Sequence, residues 1–486
     1  MNERPIIVAS NRGPVAFSRD ESGRIVPKRG GGGLVTALTA ALQRTGGLWV
    51  ASAMSALDRE QAGGGRLSVA SEGSTFDVRY LSFEPRLYER FYNGISNRVL
   101  WFVHHQLWDL PREPRWGAEL VRWWDGYRRV NAAFAEALAE EGGAGRPEPV
   151  YLVQDYHLSL VPQMLRGLRP DARIALFYHC PFAGPAYFRV LPVELREALL
   201  AGMLGADVVG LHSETWASHF LSCCGELLPG AAVDGRRRAV RWRGREVLVR
   251  VYPISIDPQA LRDRAGADDV ATAARRIARW AGEARLVVRV DRTDLSKNIL
   301  RGLLAFESVL RGNRAWRGRV RHLALLNPSR EALPEYRRYV AECVEVADRI
   351  NRELGSAGWE PVRVQVKDDY PSSLAGYTLY DVLLVNPVFD GMNLVAKEGP
   401  ILNRRNGVVV LSENAGAAAE LGEHALAVNP FDVEGTARAL GTALEMGADE
   451  RARRAAGLTS AIERNRLAEW VGRQLADLDL DRPAAR

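Results

Sequence analysis

The amino-acid sequence predicts an α/β protein with two domains, each built around a doubly wound, mostly parallel sheet. The chain has 486 residues, more than a single hydrophobic core usually serves. Many of its apolar runs are continuous and not alternating, as in strands that are buried on both faces of a sheet. These runs alternate with segments of helical periodicity, the order that produces parallel sheets covered by helices.

The first half of the chain begins with a buried strand and ends with a basic hairpin. The hairpin covers residues 236–251, turns near Arg243 and Gly244, and is predicted to be a solvated surface feature. Residues 15–28 are polar and predict a flexible segment. Strands are predicted at 6–9, 47–50, 149–155, 174–178 and 207–212, and helices at 34–42, 127–141 and 214–224.

The second half alternates more regularly, after a charged helical segment at 263–284. Its predicted strands are 286–290, 320–326, 362–366, 382–385, 407–411 and 425–429, with helices at 300–311 and 331–354 and others starting near 372, 393 and 433. We place the boundary near 253–260, which gives domains of residues 1–255 and 256–465. Residues 466–486 predict a helix that packs back on the first domain. Two such domains facing each other would leave a ligand cleft between them.

Composition favours a soluble globular protein that binds small anions. Hydrophobic residues make up 47% of the chain and charged residues 26%, and the net charge is +6. A modest positive charge suits anionic ligands. The basic residues form no stripe interleaved with aromatics, which argues against a nucleic-acid partner.

The cysteines and the apolar runs favour a cytoplasmic protein. Cys180, Cys223, Cys224 and Cys343 show no CxxC spacing for a metal, and reduced thiols are the ordinary interpretation. The N-terminus lacks the apolar core of a signal peptide, and no stretch reaches the roughly 20 apolar residues of a membrane span. We therefore expect no membrane association.

The stretch from Leu384 to Glu398 predicts a diphosphate site. The apolar run 382–385 ends before Asp390 and Gly391, and a helix is expected from Asn393, whose side chain suits a helix start. Such a turn offers backbone N–H groups and the positive end of a helix dipole to an anion. Glu398 would then lie where a carboxylate reaches a ribose diol. An ordinary strand-to-helix turn would show the same local pattern.

A second basic stretch strengthens this interpretation. Arg292 and Lys297 follow the predicted strand 286–290 and are five residues apart, so they converge on one anion only if the turn folds back. Two basic residues in a loop are more often solvated. Together with Glu398 and the helix N–H groups, they supply what a nucleoside-diphosphate donor needs.

In the first half, two successive strands end in Asp155 and His179. A doubly wound sheet places its ligand residues at this edge, although either residue could equally be a hydrogen-bonded structural group. Four glycines at 30–33 precede a helical run and allow close approach to a ligand, or form a flexible loop. The region 83–124 is rich in aromatics, most of them expected in the core and one or two available for stacking on a sugar.

With these residues in view, the chain resembles the trehalose-6-phosphate synthases. These are retaining glycosyltransferases with two Rossmann-like domains facing across a cleft, the GT-B architecture. The resemblance extends from Ser10 to the C-terminal helices, and the run DGMNLVAKE at 390–398 is its most specific part. The other matching motifs lie at 32–34, 92–101, 154–157, 179–182, 292–297 and 328–330.

The resemblance implies a role for each matching position. The second domain would bind the nucleotide-sugar and the first domain the acceptor. Asp155, His179, Arg292, Lys297 and Asp390 match the residues at the reaction centre. Donor binding is implied for Gly33, Arg292, Lys297, Asp390, Gly391, Met392, Asn393, Leu394, Val395 and Glu398, and acceptor binding for Arg12, Tyr92, Trp101, Asp155 and Arg330.

The implied reaction moves glucose from a nucleoside-diphosphate glucose to the anomeric hydroxyl of glucose 6-phosphate, giving α,α-trehalose 6-phosphate. It needs no pair of carboxylic acids, because the work is positioning and stabilising charge on the departing phosphate. The family uses no metal, so no cofactor is expected. Homo-oligomers are common among its members and remain an expectation for this chain.

Two positions depart from the family pattern, and the expected base pocket differs too. Asn298 replaces a glycine that often follows the lysine, and Cys180 replaces an aliphatic residue. The stretch 366–374 looks more like actinobacterial members, some of which prefer GDP-glucose, so we expect GDP-glucose to be favoured over UDP-glucose.

Two rival functions remain open. One is a pseudo-glycosyltransferase that joins cyclitol units, as in validoxylamine phosphate synthesis; Tyr92 and Trp101 match the sugar-using enzyme instead. The other is a catalytically silent sugar-phosphate sensor, against which the retained phosphate-binding cations argue.

Overall fold

The computed structural model describes residues 4–20, 22–29, 35, 38–39, 42, 47–61, 63, 65–71, 74–143 and 148–480. The chain divides into two compact units. The first comprises Met1–Ile254 together with Leu467–Arg486, and the second comprises Ser255–Arg466. Both are layered α/β structures with large, mostly parallel sheets, which confirms the predicted fold class.

The first unit contains a sheet of ten strands within the described ranges, in the order β10-β11-β12-β9-β8-β7-β1-β4-β6-β5. The strands from β12 through β6 pair in parallel, and antiparallel pairs occupy both edges. The strands are β1 Ile6–Arg12, β2 Val15–Arg19, β3 Ile25–Arg29, β4 Leu48–Ser52, β5 Arg66–Ser71, β6 Ser74–Leu81, β7 Val150–Gln154, β8 Arg173–Phe177, β9 Val208–Leu211, β10 Ala232–Asp234, β11 Ala239–Trp242 and β12 Arg245–Val251.

The hairpin expected at 236–251 is confirmed as β11 and β12, which lie between the edge strand β10 and β9. The expectation that it is a solvated surface feature is wrong, because Val240 and residues 247–249 are buried within the sheet. Its turn residues Arg243 and Gly244 both have positive φ, as tight hairpins of right-handed twist require. The flexible segment expected at 15–28 is wrong, because β2 and β3 pair as an antiparallel ribbon. That ribbon is fixed by tertiary bonds which the sequence does not display, such as Tyr80 Oη donating to the Val15 carbonyl over 2.6 Å.

Helices cover both faces of this sheet. The predicted helix 127–141 begins earlier than expected, at Ala118. The last helix, Leu467–Leu480, packs on β8 and β9, and its Trp470 is buried. The helices are Ala56–Gln61, Pro85–Glu89, Arg90–Leu100, Trp101–His105, Ala118–Glu141, Tyr156–Leu158, Val161–Leu168, Pro185–Phe188, Val193–Met203, Glu214–Leu227 and Leu467–Leu480.

The second unit has a parallel sheet in the order β15-β14-β13-β16-β17-β18. Every strand predicted in this half is present within about two residues of its expected bounds. The strands are β13 Arg285–Arg292, β14 Val320–Asn327, β15 Val362–Val366, β16 Val382–Val385, β17 Val408–Ser412 and β18 Leu426–Val428. The helices are Pro258–Ala265, Asp268–Ala281, Leu295–Lys297, Ile299–Gly312, Arg314–Trp316, Pro334–Leu354, Tyr370–Leu379, Val395–Leu402, Ala418–Leu421, Val433–Glu445 and Ala448–Arg464.

Each sheet contains one place where the strand order changes direction. In the first unit β1 lies between β7 and β4, and successive strands leave it on opposite sides. In the second unit β13 lies between β14 and β16 in the same way. Open parallel sheets bind ligands beyond the carboxyl ends of the strands at such switch points. The fold therefore points to the ends of β1 and β7 and to the ends of β13 and β16.

Candidate active site

The switch point of the second unit is lined by an ion pair. Lys297 Nζ contacts Asp390 Oδ2, and both side chains are about one-eighth exposed, at 12% and 13%. Lys297 lies in the turn after β13 and Asp390 in the loop after β16, so the pair joins the two strand ends. The turn after β13 thus folds back towards the switch point, as convergence of its cations on one anion requires. Arg292, the last residue of β13, is exposed at the same edge.

Backbone hydrogen bonds to residues 414–417 hold the loop that carries Asp390. The Asp390 N–H donates to the Asn414 carbonyl over 3.1 Å, and the Gly416 N–H donates to the Asp390 carbonyl over 3.1 Å. The Ala417 N–H donates to the Met392 carbonyl over 2.9 Å. A Cβ on Gly416 would meet the Gly391 carbonyl oxygen at 1.9 Å, so only glycine allows this approach.

The expectation that Asn393 starts the following helix is wrong. The helix spans Val395–Leu402, and no side chain caps it. Asn393 instead has φ of 73°, and its Nδ2 donates to Asp390 Oδ2 over 3.1 Å. Asparagine tolerates left-handed backbone because its short amide can bond locally, and here the amide bonds the site carboxylate. The first turn of the helix, with Leu394 and Val395, still leaves N–H groups without intrahelical acceptors.

Glu398 lies in the first turn and a half of the same helix, where a ribose-binding role was expected. Its Oε2 accepts a hydrogen bond from Tyr377 Oη over 3.0 Å, and burial raises the pKa of its carboxyl. The exposed Tyr370 lies close enough for the Glu398 charge to raise the pKa of its phenol, after the larger effect of burial. A nucleoside could bind here with its ribose hydroxyls on the carboxylate of Glu398 and its base on the ring of Tyr370.

Sequence reasoning assigned no role to Lys397, which the structure places in a second ion pair. Its side chain is fully buried and its Nζ donates to Glu420 Oε1 over 2.7 Å. Burial lowers the pKa of this amine. Asn465 Nδ2 donates to the other oxygen, Glu420 Oε2, over 2.8 Å. This lysine therefore anchors the helix that supplies Glu398.

Arg330 was expected with Arg12 in a phosphate pocket, and the two residues belong to different units. Arg330 follows β14 with φ of 49°. Its Nη1 contacts the buried carboxylate of Asp294 and donates to Tyr336 Oη over 3.2 Å. The guanidinium is thus fixed in orientation at the carboxyl edge of the second sheet, close to the turn that holds Lys297.

In the first unit the structure brings together two residues predicted from neighbouring strands. The His179 N–H donates to Asp155 Oδ1 over 3.1 Å, across the ends of β7 and β8. His179 Nε2 lies 3.0 Å from Gln154 Oε1, and burial lowers the pKa of the His179 ring to about 3. The imidazole is therefore neutral near pH 7. Asp155 has φ of 74° and ψ of 167°, a backbone conformation that non-glycine residues rarely adopt and that is associated with functional sites.

Tyr92 and Trp101 share one face because of an unusual helix. They are nine residues apart, which would put them on opposite faces of an α-helix with 3.6 residues per turn. Residues Arg90–Leu100 form a π-helix, in which the Trp101 N–H donates to the Ser96 carbonyl five residues back. Since a π-helix has about 4.4 residues per turn, nine residues make roughly two full turns.

Both rings consequently reach the turn that carries Asp155. Tyr92 stacks on His157 with ring centroids 5.9 Å apart, and Trp101 packs on Tyr156 at 5.8 Å. His157 and Tyr156 stack on each other at 4.0 Å. The motif 154–157 and the motif 92–101 thus form one aromatic surface, a connection that α-helical spacing concealed.

Arg12 ends β1 at an irregularity in its pairing with β4, and it is exposed. Its charge acts on Tyr88, whose hydroxyl donates to Asn11 Oδ1 over 3.1 Å and whose ring stacks on Tyr92 at 5.5 Å. Arg12 is therefore close to the aromatic surface. Gly33 lies outside the described residues.

The described ranges lack two further kinds of feature. They contain no group of three or more histidine, cysteine, aspartate or glutamate side chains arranged to hold a metal ion. Nor do they include a helix long and apolar enough to cross a membrane.

Two parallel-sheet units, with cations and helix N–H groups at one switch point and aromatic rings at the other, define a GT-B glycosyltransferase. The sequence profile of glycosyltransferase family 20 matches residues 4–479, and the chain belongs to that family. It is an enzyme of the trehalose-6-phosphate synthase type.

Curated relatives resemble this chain along nearly all of its length. The trehalose-6-phosphate synthase of Mycobacterium avium is 36% identical over 96% of this chain and 93% of the relative. The validamine 7-phosphate valienyltransferase of Streptomyces hygroscopicus subsp. jinggangensis is 34% identical over 100% of this chain and 96% of the relative.

Solved structures agree in fold. The E. coli trehalose-6-phosphate structure bound with UDP-2-fluoro glucose has a TM-score of 0.85 at 29% identity, covering 99% of this chain and 100% of that one. The Burkholderia xenovorans α,α-trehalose-phosphate synthase (UDP-forming) in complex with glucose-6-phosphate has a TM-score of 0.83 at 28% identity, covering 98% and 100%.

Proposed function

We propose that this chain transfers glucose, with retention of configuration, from a nucleoside-diphosphate glucose to the anomeric hydroxyl of glucose 6-phosphate. The product is α,α-trehalose 6-phosphate. One observation carries the proposal: Lys297 and Asp390 meet at the switch point of the second sheet, directly beside the start of the helix that holds Glu398. A cation, helix N–H groups and a carboxylate in this order match the diphosphate and ribose of a nucleotide-sugar.

On the donor side, Arg292 and Lys297 bind the diphosphate and stabilise the negative charge that develops as the glycosidic bond breaks. Asp390 bonds donor sugar hydroxyls, and the backbone from Gly391 to Val395 cradles sugar and phosphate. Glu398 accepts hydrogen bonds from the ribose diol. Lys297 exchanges part of its contact with Asp390 for the phosphate, so the ion pair keeps the ammonium in place before the donor arrives.

On the acceptor side, Tyr92 and Trp101 pack against the apolar face of glucose 6-phosphate, and Arg12 binds its phosphate. Arg330 supplies the second guanidinium. Asp155 orients sugar hydroxyls, and the neutral His179 bonds the transferred glucose without adding charge. The anomeric hydroxyl of the acceptor attacks on the face from which the diphosphate departs. Its proton passes to the departing phosphate oxygen, so no protein carboxylate has to act as base.

GDP-glucose is the donor we favour over UDP-glucose. The support is the stretch 366–374, which resembles actinobacterial members, and the exposed ring of Tyr370 near Glu398. A purine offers more stacking area to such a ring than a pyrimidine does.

A second function has support of its own. The Streptomyces valienyltransferase is as similar to this chain as several trehalose-6-phosphate synthases are. Identity therefore does not separate a sugar acceptor from a cyclitol acceptor. We favour the sugar because Tyr92 and Trp101 match the sugar-using enzymes and lie on one surface with Asp155.

Nucleotide release with identification of the product tests both functions. GDP-glucose and UDP-glucose are each incubated with and without glucose 6-phosphate, in parallel with a nucleoside-diphosphate valienol and validamine 7-phosphate. Release that depends on glucose 6-phosphate and yields trehalose 6-phosphate supports the proposal, and its rate with each donor decides the base. Coupling only with the cyclitol pair overturns it in favour of the valienyltransferase. Absence of acceptor-dependent release with every pair overturns both and leaves a silent sensor.

A further inference from the structure

Asn298 occupies a position where trehalose-6-phosphate synthases often have glycine, directly after Lys297. Its φ of 57° and ψ of 39° lie in the left-handed region, which explains why glycine suits the position and why asparagine is tolerated. The residue is only 2% exposed. A buried amide whose polar atoms lack partners lowers stability. The hydrogen bonds of the Asn298 side chain therefore indicate what the amide does at this position.

Each polar atom of the Asn298 side chain has a described partner. Nδ2 donates to the Asn386 carbonyl over 3.0 Å and to the Pro430 carbonyl over 2.7 Å. Oδ1 accepts from Arg301 Nη1 over 2.9 Å. Asn386 follows β16 in the loop that leads to Asp390, and Pro430 follows β18. A single amide therefore ties the turn after β13 to the ends of two other strands.

A buried arginine also forms hydrogen bonds that hold the same turn. Arg289 Nη2 donates to the Lys297 carbonyl over 2.8 Å and to Asp291 Oδ2 over 2.9 Å, and Arg289 is fully buried. A Cβ on Gly302 would meet Arg289 Nη1 at 2.3 Å, so the helix after the turn packs closely on this guanidinium. Arg289 and the next residue, Asn298, thus fix the backbone of Lys297. The Lys297 ammonium contacts Asp390.

We propose that Asn298 is a positioning residue that fixes the Lys297 turn against the loop carrying Asp390 and thereby sets the affinity for the nucleoside diphosphate. The proposal rests on the donor role given to Lys297 above. A glycine at this position keeps the backbone conformation and loses both bonds donated by the amide. The ammonium then samples a wider range of positions around the phosphate site, and charge-assisted contacts weaken steeply with misplacement.

The test compares Asn298→Gly with a matched variant, Asn351→Ala. Asn351 makes the same kind of bridge in the same unit, between the helix Pro334–Leu354 and Val362. Its Nδ2 donates to the Val362 carbonyl over 2.8 Å, and its Oδ1 accepts from the Val362 N–H over 2.9 Å. Val362 begins β15, so this bridge lies at the end of the sheet opposite to the proposed donor site. The matched variant separates loss of a bridging amide from loss of the Lys297 turn. Should Asn298→Gly fail to fold, Asn298→Asp keeps the side-chain size and the contact with Arg301 and replaces the two donated bonds by repulsion from the Asn386 and Pro430 carbonyl oxygens.

The readouts are the Kd for GDP and UDP by calorimetry and the KM for donor and acceptor, measured well below the melting temperature. We expect Asn298→Gly to raise the nucleotide Kd and the donor KM about ten-fold, while the KM for glucose 6-phosphate changes less than about two-fold. Asn351→Ala should leave all of these values unchanged. An unaltered nucleotide Kd in Asn298→Gly, or equal weakening in both variants, overturns the proposal.

Failure of the proposed function would look different. If the wild type transfers no sugar but binds GDP or UDP, the calorimetric comparison still decides the role of Asn298. If the wild type neither transfers sugar nor binds either nucleotide, both proposals are overturned.

Discussion

The two switch points have the same topology and opposite chemistry. The ends of β13 and β16 carry two neighbouring ion pairs, Lys297 with Asp390 and Arg330 with Asp294. At the end of β1 and β7, aromatic rings stack around Asp155, and the neighbouring His179 is neutral. Under the proposed function, the charged edge binds the diphosphate and the aromatic edge packs on the flat apolar face of a sugar.

The difference also lies in how the backbone delivers the side chains. The second unit relies on regular strands, buried ion pairs and tight contacts such as Gly416 on Gly391. Positive φ occurs at both switch points, at Asp155 in the first unit and at Asn298, Arg330 and Asn393 in the second. The first unit adds a register shift in β1 and a π-helix. The second unit thus places charges on turns after regular strands, and the first places rings on a distorted helix.

Removing the cation at the second switch point should have the largest effect. For Lys297→Ala we expect kcat/KM for transfer to fall about 10³-fold, because a charge-assisted contact to the departing phosphate is lost and Asp390 loses its cationic partner. Steady-state kinetics with both donors measures it. Lys297→Arg, which keeps the charge, should retain more activity, and equal loss in the two variants would contradict a role for charge.

A backbone clash beneath the same loop should rank second. Gly416→Ala places a Cβ 1.9 Å from the Gly391 carbonyl, so the donor loop must shift and transfer should fall about 100-fold. Gly441→Ala is the matched control, since it adds a methyl to the helix Val433–Glu445 with nothing within 4 Å. That control should be about 0.5–1 kcal/mol more stable than wild type and equally active. Full activity in Gly416→Ala would show that the loop adapts.

Both units contain buried neutral histidines, and acid should destabilise the protein through them. Burial lowers the pKa of His104 and of His322 to about 3. Because the folded pKa lies below the unfolded value of about 6.5, the unfolded chain takes up protons first, and stability falls as pH drops from about 6.5 towards 3. The loss is about 1.4 kcal/mol per pH unit for each ring.

Variants of these histidines sharpen the comparison between units. His104 lies 3.4 Å from Tyr178 Oη and accepts from the Ala183 N–H, whereas neither ring nitrogen of His322 has a partner among the described residues. The free energy of unfolding is measured in urea between pH 7.5 and 5. For His322→Leu we expect it to fall less steeply with decreasing pH, by the contribution of one histidine. An unchanged slope would mean that His322 gains a partner in acid.

The smallest effect is expected on the aromatic side. Tyr92→Ala removes one ring of the stack while Trp101 and His157 remain, so the KM for glucose 6-phosphate should rise about ten-fold, the loss of one stacking contact. The Kd for GDP should stay the same, since Tyr92 belongs to the first unit. A similar rise in the nucleotide Kd would contradict the proposal that the two switch points bind different substrates.

Predictability from sequence follows the same contrast. The strands of the second unit could be located because buried parallel strands are continuous apolar runs, and the turn after each strand bears its own polar residues. Asp155 and His179 could be placed at the ends of successive strands, and the structure shows that the His179 N–H donates to Asp155 across those ends. The π-helix could not be foreseen, because its spacing of Tyr92 and Trp101 is set by packing and by the Ser96 carbonyl, not by residue type.

Polar side chains near a helix start were the other source of error. Asn393 has the residue type of a cap, yet its side chain bonds Asp390, and local pattern does not distinguish these partners. The ion pair of Arg330 with Asp294 joins residues 36 apart, and only the fold reveals it.

The return of the chain to the first unit also affects how that unit folds. Trp470 and Asp477, on the last helix, bond the Tyr252 carbonyl and hydroxyl, and Trp470 packs on Phe177 and His179. The first unit is thus completed by a contact between residues 218 apart in sequence. Such non-local contacts form late, because the entropy of closing the intervening chain must be lost before they stabilise anything.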